Sequence, residues 1–353
     1  MAGGLFELRR DDITGWWVAT VVDREFERAR FARPARRMGT PDADCQNCRS
    51  PADERAWLRV LKPQAFTIAE GSPAHRPREV PTADAEAEEL GLGLLGDVGA
   101  WETIAAPFRH HASLAEETAA IVIEMLGLAR ERILQARSAG GTQYLQVVQN
   151  WGAQAGAMTN HLCFDVYDLP HIPHRIGEEL GGAARYVIRE GICPWCRLLE
   201  DEVAQRDRLV FDDAASVCFA PYASRSPFEL WVVPRHHEPD FGRATDDQLT
   251  SAAETLRKVI RMLGTLDGPA YNLVLHTAPL HENVRETYHW HWEIHPRLRE
   301  IGGLELGTGL PVNPISPEEA VDELLAATRV ASGESAAHDE PDGGRSWDEF
   351  PRR

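Results

Sequence analysis

The sequence predicts an α+β protein that uses one structural unit twice, and three observations lead there. The same four residue types recur in the same order in each half. Cys45-Gln-Asn-Cys48 is followed by His110 and His161-Leu-Cys163, and Cys193-Pro-Trp-Cys196 by His237 and His289-Trp-His291. Each half also carries a long run of apolar residues at helical spacing, and each carries short runs in which apolar and polar residues strictly alternate. Alternating strands grouped between long helices indicate antiparallel sheets with helices packed on them, rather than a βαβ chain.

Length and composition set the bounds. The 353 residues suit two domains, and 43% hydrophobic with 26% charged residues describes a globular protein with a sizeable core. The net charge of −18 excludes a general nucleic-acid binder, because neutralising phosphates takes an excess of Lys and Arg. A small phosphorylated ligand held by a few local arginines remains open. No run reaches the roughly 18 apolar residues of a membrane span. The first ten residues lack the apolar core of a secretory signal, so the expected location is cytoplasmic. Four of the six cysteines form Cys-x₂-Cys pairs, and each pair with two distant histidines reads as a tetrahedral zinc site. Free thiols or a redox dithiol are the alternatives. Cys218 lies in an apolar, strand-like run and is expected to be buried and inert.

The elements follow in order. Residues 5–35 open as a turn feeding a strand, and the Pro-, Ala- and Glu-rich stretch from about 66 to 99 reads as a long surface connection. Apolar spacing from Ser113 to Arg137 predicts an amphipathic helix, which Gly140-Gly141 ends before a strand over 142–150. In the second half strands are predicted over 209–219 and 228–234. Thr245 and Gln248 form a capping box that starts a helix, Tyr271–Thr277 is a strand, and Ser316-Pro-Glu-Glu opens the last helix. After Ala331 the chain becomes Gly-, Ser- and Asp-rich, as terminal tails are.

Two strands carry the chemistry. In His161–Leu169, His161, Cys163, Asp165 and Tyr167 share one face, with Leu162, Phe164 and Val166 behind them. In the other, His289, His291, Glu293 and His295 oppose Trp290, Trp292 and Ile294. A strand with ligand-type groups on one face and bulky apolar groups on the other suits a lined site; the bland alternative is an exposed edge strand. Upstream, Asn150-Trp-Gly152-Ala-Gln-Ala-Gly156 has glycines where backbone N–H groups can approach an anion.

The segment Asn-x-Gly-x-x-Ala-Gly-x-x-x-x-His-x-Cys resembles the active-site segment of the galactose-1-phosphate uridylyltransferase family, in the histidine-triad superfamily. The resemblance extends from Leu8-Arg-Arg-Asp-Asp-Ile-Thr-Gly-Trp-Trp-Val, through Pro227–Pro234 and His289–Arg297, to Leu304-Glu-Leu-Gly-Thr-Gly309. It implies a duplicated histidine-triad-like fold, with one repeat over 1–180 and a second over 181–330, and the composition of 331–353 predicts a disordered tail. It implies two zinc ions per chain, one on Cys45, Cys48, His110 and His161, the other on Cys193, Cys196, His237 and His289. His236 and His291 are the alternatives at the second. Glu179 and His276 are similar to ligands of a second metal in some members, a site that Cys193 and Cys196 are expected to supply here.

Members move a nucleoside monophosphate between a nucleotide sugar and a sugar phosphate, or phosphate, through a nucleotidyl-histidine. By that resemblance Asn150, Gly152 and Gly156 hold phosphates, Arg24 and Arg33 contact phosphate or nucleoside, and Glu305 contacts sugar hydroxyls. Leu-Gly-Thr-Gly309 is similar to adenylyl-transferring relatives, and a homodimer is implied. Two positions depart from the family pattern: Cys163 stands where members have the nucleophilic histidine, and Asp165 where they have glutamine. A carboxylate about 4 Å from a phosphate opposes the reaction by roughly 1–4 kcal/mol. Three readings stay open: a nucleotidyltransferase using Cys163 and Asp165, a diverged hydrolase or transferase using the same pair, and a non-catalytic nucleotide-binding protein. His171-Ile-Pro-His174 falls outside the alternating strand and reads as a loop.

Overall fold

Asp11 makes the first turn of the chain by accepting three hydrogen bonds on one carboxylate oxygen, from the amides of Ile13 (3.1 Å) and Thr14 (2.6 Å) and from the Thr14 hydroxyl (2.7 Å). It joins strands β1 (Phe6–Arg10) and β2 (Trp17–Val21) in the computed structural model, which describes residues 6–21, 45, 59–61, 100–110 and 112–333. The surface connection expected over 66–99 and all but the first few residues of the tail lie outside the described residues.

The main body is a nine-stranded antiparallel sheet in the order β3-β4-β6-β5-β10-β11-β9-β8-β7. Its first-half strands are β3 (Arg59–Leu61), β4 (Ala100–His110), β5 (Tyr144–Trp151) and β6 (His161–Leu169). Its second-half strands are β7 (Leu209–Asp212), β8 (Ser216–Phe219), β9 (Leu230–Pro234), β10 (Tyr271–His276) and β11 (His291–Pro296). The halves meet where β5 pairs with β10, from Tyr271 opposite Trp151 to Val274 opposite Val148. The result is an α+β molecule of antiparallel sheets with packed helices.

Helices α1 (Ala119–Ala139) and α4 (Asp246–Gly264) cover one face of this sheet, each over its own half, and touch one another. Val122, Met125 and Ile133 of α1 meet Leu162, Phe164 and Val166 of β6, while Leu256 and Val259 of α4 join Trp290, Trp292 and Ile294. Phe241 stands edge-on to Trp290 and Trp292, with centroids 5.1 and 5.9 Å apart. This apolar packing takes one side of every central strand, so the polar side chains of those strands are displayed on the opposite face.

Several boundaries differ from the sequence expectation for local reasons. Helix α1 starts at Ala119 instead of near Ser113, because the Thr118 hydroxyl accepts from the Ile121 amide and Ser113 is held in a turn by Glu116. The strand expected over 209–219 is a hairpin, turned by Asp213, which accepts from the amides of Ala215 and Ser216. Strand β11 begins at His291, leaving His289 and Trp290 ahead of it. The helix at Thr245 has the expected capping box, and the last helix, here α6 (Pro317–Ser332), has Ser316 as its cap.

Two of the longer helices were not anticipated, nor was the short helix at Gly303–Thr308. Helix α2 (His174–Glu190) spans the expected repeat boundary, so His174 opens a helix, and α3 (Pro194–Gln205) starts on the second Cys-x₂-Cys pair. The three glycines of α2 obscured its pattern. One of them, Gly182, lies against the first turn, where an added Cβ would meet the Ile13 carbonyl oxygen at 1.7 Å.

The C-terminal end returns to the N-terminal hairpin. After the short helix α5 (Gly303–Thr308), strand β12 (Val312–Asn313) pairs in parallel with β2. Glu318, in the first turn of α6, binds Arg9 at 2.8 Å and Arg208 at 3.0 Å. Gly182→Ala is expected to destabilise the protein by about 1–3 kcal/mol, because the turn or α2 must shift. Gly181→Ala meets only the flexible end of Arg185 at 3.3 Å and is the control, neutral or slightly stabilising in thermal unfolding. Equal melting temperatures for the two variants would contradict the close seating of α2 on the turn.

Candidate functional site

The polar face of the central sheet is built by register. Cys163, Asp165 and Tyr167 of β6 oppose Ala105, Thr103 and Trp101 of β4. On the other side of β6, Asp165 pairs with Val148 and Tyr167 with Gln146 of β5. Strand alternation makes Asn150 and Cys163 the next neighbours on that face. Asn150 and Val148 in turn oppose Asn272 and Val274 of β10, which oppose His295 and Glu293 of β11. One row therefore reads His295–Asn272–Asn150–Cys163, and the next reads Glu293–Val274–Val148–Asp165.

Cys163 and Asp165 are both half-buried on this face. Burial pushes the Cys163 thiol up, and the nearby Asp165 and Cys45 push it further. Asp165 accepts hydrogen bonds on Oδ1 from the Thr103 hydroxyl (2.9 Å) and the Trp101 indole (3.2 Å). Burial raises its pKa, and those two hydrogen bonds oppose the rise. Trp101 also stacks on Tyr167, with centroids 5.5 Å apart.

The turn after β5 has the expected glycine geometry. Gly152 and Gly156 have φ of 82° and 78°, the region that favours glycine, and flank a single 3₁₀ turn. The amides of Ala155, Gly156 and Ala157 donate inside the turn, to the carbonyls of Gly152 and Ala153. Those three N–H groups are thus engaged within the turn, and the Asn150 side chain lies at this junction on the Cys163 face.

The structure brings together Cys193, Cys196, His237 and His289, with one donor atom of each within 4.8 Å of the rest. His237 donates from Nε2 to the Arg285 carbonyl (2.8 Å), which turns Nδ1 toward Cys196 Sγ at 3.3 Å. The Cys193 thiol, donating to its neighbour, holds Cys196 toward the thiolate. Two cysteine sulfurs and two imidazole nitrogens form a donor set that fits a tetrahedral zinc, which would bind both sulfurs as thiolates. His236 is not in this group, and His291 belongs to another.

Cys45, His110 and His161 converge in the same way. His161 donates from Nε2 to the Ala106 carbonyl and directs Nδ1 at Cys45 Sγ, 3.8 Å away. An irregularity in β4 between Ala105 and His110 brings His110 opposite His161, where a regular strand would not place it. Cys48, Arg24 and Arg33 lie outside the described residues.

Glu179 and His276 form a buried group with His291, distinct from the Cys193–Cys196 group. Glu179 accepts from the Tyr288 hydroxyl (2.7 Å) and lies 3.0 Å from His276 Nδ1, and Glu293 lies 3.3 Å from Nε2. Burial alone would lower the His276 pKa; the carboxylates of Glu179 and Glu293 raise it to about 10. Arg175 and Arg225 both bind Glu293, at 2.6 and 2.9 Å. These donors are already paired as a buried ion cluster.

Glu305, expected to contact the substrate, lies on the short helix α5. Its carboxylate binds Arg299 and the Gly302 amide, in a cleft of about 270 Å³ shared with Arg225, His295 and Arg297. Its described contacts are all within the second half. Sequence reasoning also missed Thr103, Trp101, Asn272 and Arg297. For Asn272 a signal existed, since it alternates with Val274 and His276 along one strand.

Comparison with known proteins adds the family context. The chain is 26% identical over 329 residues to ADP-glucose phosphorylase of Arabidopsis thaliana, covering 89% of this chain and 90% of that protein. It is 26% identical over 191 residues to galactose-1-phosphate uridylyltransferase of Thermotoga maritima, covering 52% of this chain and 59% of that protein. The homologues are galactose-1-phosphate uridylyltransferase-like enzymes. Their fold is shared: a crystal structure of the Arabidopsis phosphorylase with bound ADP-glucose has a TM-score of 0.70 at 25% identity, covering 91% of this chain and 98% of that one. A uridylyltransferase structure has a TM-score of 0.71 at 25% identity, covering 92% and 99%. No protein-family model matches the chain. Among the described residues, no helix is long and apolar enough to cross a membrane.

Two measurements test the site chemistry. Elemental analysis should find about two zinc ions per chain, falling by about one in Cys196→Ser. Values near zero in both proteins would remove the metal assignment. The raised Asp165 pKa means that the folded protein binds this proton more tightly than the unfolded chain does. Stability is therefore lost as pH rises through the ordinary carboxylate value to the raised one. Asp165→Asn keeps an oxygen for Thr103 and Trp101, so it should melt above wild type at pH 8, with the gap closing near about pH 4. A gap that persists or widens at low pH would contradict this.

Proposed function

We propose that this chain is a nucleotidyltransferase that takes a nucleoside monophosphate from a nucleotide sugar and passes it to phosphate or a sugar phosphate, with Cys163 as the nucleophile. The observation that carries this reading is the β5–β6 register, in which Asn150 and Cys163 are the next residues on the polar face beyond the Val148–Asp165 pair, beside the turn bounded by Gly152 and Gly156. A phosphate held there is next to a thiol. The full-length similarity to an ADP-glucose phosphorylase, together with the Leu-Gly-Thr-Gly309 segment, supports an adenine nucleotide sugar as donor.

Asp165 fits the same step. It is the next ionisable residue along the face, two residues from Cys163, and only its Oδ1 is engaged by Thr103 and Trp101. Cys163 gives its proton to Asp165 as Sγ attacks the α-phosphorus, and the bond from that phosphorus to the oxygen of the sugar phosphate breaks. The sugar phosphate leaves, and the nucleoside monophosphate stays on sulfur. The proton transfer also removes the carboxylate's repulsion, because the neutral acid donates a hydrogen bond to a phosphoryl oxygen, as an amide at that position would. In the second step the acceptor phosphate attacks the same phosphorus, Sγ leaves, and the proton returns.

The two zinc ions that this reading includes would sit on Cys193, Cys196, His237 and His289, and on Cys45, Cys48, His110 and His161. They would staple loops to the sheet, each ion neutralised by the two thiolates that hold it. Arg24, Arg33 and Glu305 complete the proposed substrate contacts, with Arg24 and Arg33 on the nucleotide and Glu305 on the sugar. A homodimer is part of the same reading.

Intact-mass measurement after incubation with ADP-glucose or UDP-glucose tests the proposal. Wild type should gain one nucleotidyl group, with ADP-glucose the better donor, and Cys163→Ser should gain none. Asp165→Asn should bind the nucleotide sugar at least as tightly as wild type and form the adduct about 10²–10⁴-fold more slowly. Turnover by Cys163→Ser at the wild-type rate would eliminate the thiol as nucleophile.

A further inference from the structure

Asn272 is a buried amide at the seam between the two halves, and its three hydrogen bonds fix the polarity of its neighbour. Its Nδ2 donates to the Ala155 carbonyl at 2.8 Å, and a carbonyl only accepts. Its Oδ1 accepts from Arg297 Nε, and a guanidinium only donates. The orientation of the Asn272 amide is therefore determined from both ends. The Asn150 atom facing Asn272 Nδ2, at 2.5 Å, must then be the oxygen Oδ1. That leaves the Asn150 NH₂ group to face away from Asn272, along the row whose next member is Cys163.

We infer that Asn272 and Arg297 are positioning residues for nucleotidyl transfer, holding the Asn150 amide so that its NH₂ rather than its oxygen is presented to the phosphate beside Cys163. An oxygen there would repel the phosphate, whereas the NH₂ donates a hydrogen bond to it. The same Asn272 amide ties the Gly152–Gly156 turn to β10 through Ala155, so one side chain sets both the turn and the amide. Arg297 is suited to fixing the orientation. It is half-buried and lines the cleft with Glu305, its backbone N–H is held by the Ala270 carbonyl, and among the described residues it has no carboxylate partner. This inference rests on the proposed transfer of a nucleotide at Cys163.

Asn272→Ala and Asn272→Asp separate positioning from a general structural role. Alanine frees Asn150 to adopt either orientation. Aspartate keeps Arg297 as partner but has no donor for Asn150, which must rotate its NH₂ toward the new carboxylate and turn its oxygen to the phosphate. Affinity for ADP by calorimetry, adduct rate from ADP-glucose and melting temperature are measured for wild type, both variants, and both in an Asn150→Ala background. The expected order is wild type, then Asn272→Ala, then Asn272→Asp for affinity and rate, with the aspartate variant about ten- to hundredfold below the alanine one. Melting temperatures should run the other way between the two variants, because aspartate keeps the contact with Arg297 and makes it an ion pair.

In the Asn150→Ala background the difference between alanine and aspartate should vanish. A difference that persists there shows simple repulsion by the new carboxylate and overturns the inference. So does an affinity order that follows the melting temperatures. If wild type binds ADP but forms no adduct, the transfer reading fails while the affinity order still decides the role of Asn272. A wild type that binds no nucleotide overturns both.

Discussion

The rest of the molecule depends on strict two-residue alternation being kept across the central strands of one antiparallel sheet. A strand presents successive side chains to opposite faces, so burying Leu162, Phe164 and Val166 under α1 obliges Cys163, Asp165 and Tyr167 to share the other face. The same holds for Trp292 and Ile294 against His291, Glu293 and His295. Because β5 and β10 pair across the seam, the two polar faces are continuous, and the rows that run through Asn150 and Asp165 cross from one half to the other. A one-residue slip in any of these strands would exchange core for site, so apolar packing on one side dictates the chemistry on the other.

The halves have used this shared plan differently. In the first, the face carries a thiol and a carboxylate beside a turn bounded by glycines, half-buried. In the second, the equivalent positions hold His291 and Glu293, both fully enclosed, with the Glu293 carboxylate paired to Arg175, Arg225 and His276. One copy is organised for contact with a ligand and the other for internal charge balance. The divergence follows from what covers each face: in the second half α2 and α3 bring Arg175, Glu179 and Trp195 over it.

Much of this was legible in the sequence wherever the signal was local and periodic. The capping box at Thr245, the cap at Ser316 and the alternation of His161–Leu169 all have short-range causes, and their elements form with those caps and that facing. The convergence of Cys193, Cys196, His237 and His289 could be read from spacing and residue type. What could not be read depends on neighbours distant in sequence. Helix α2 is hidden by glycines whose use is only apparent once Gly182 is seen against Ile13. Asn272 is an ordinary strand residue until β10 is paired with β5, and Asp165 looks unsupported until β4 brings Thr103 and Trp101 alongside. Glu305 was assigned by motif, but its setting comes from Arg299 and the Gly302 amide.

The return of β12 to β2 has an effect on how the chain can reach this structure. The hairpin at residues 6–21 precedes the first-half strands, yet it is paired with residues 312–313, seated on α2 and tied by Arg9 to Glu318. On emerging from the ribosome it has none of these partners, and must wait through almost the entire synthesis of the chain. Closing such a long loop is slow even when its entropic cost is modest. The contacts that seat this hairpin therefore span almost the whole described chain, and β12 and α6 can hold it only after their own residues have been made.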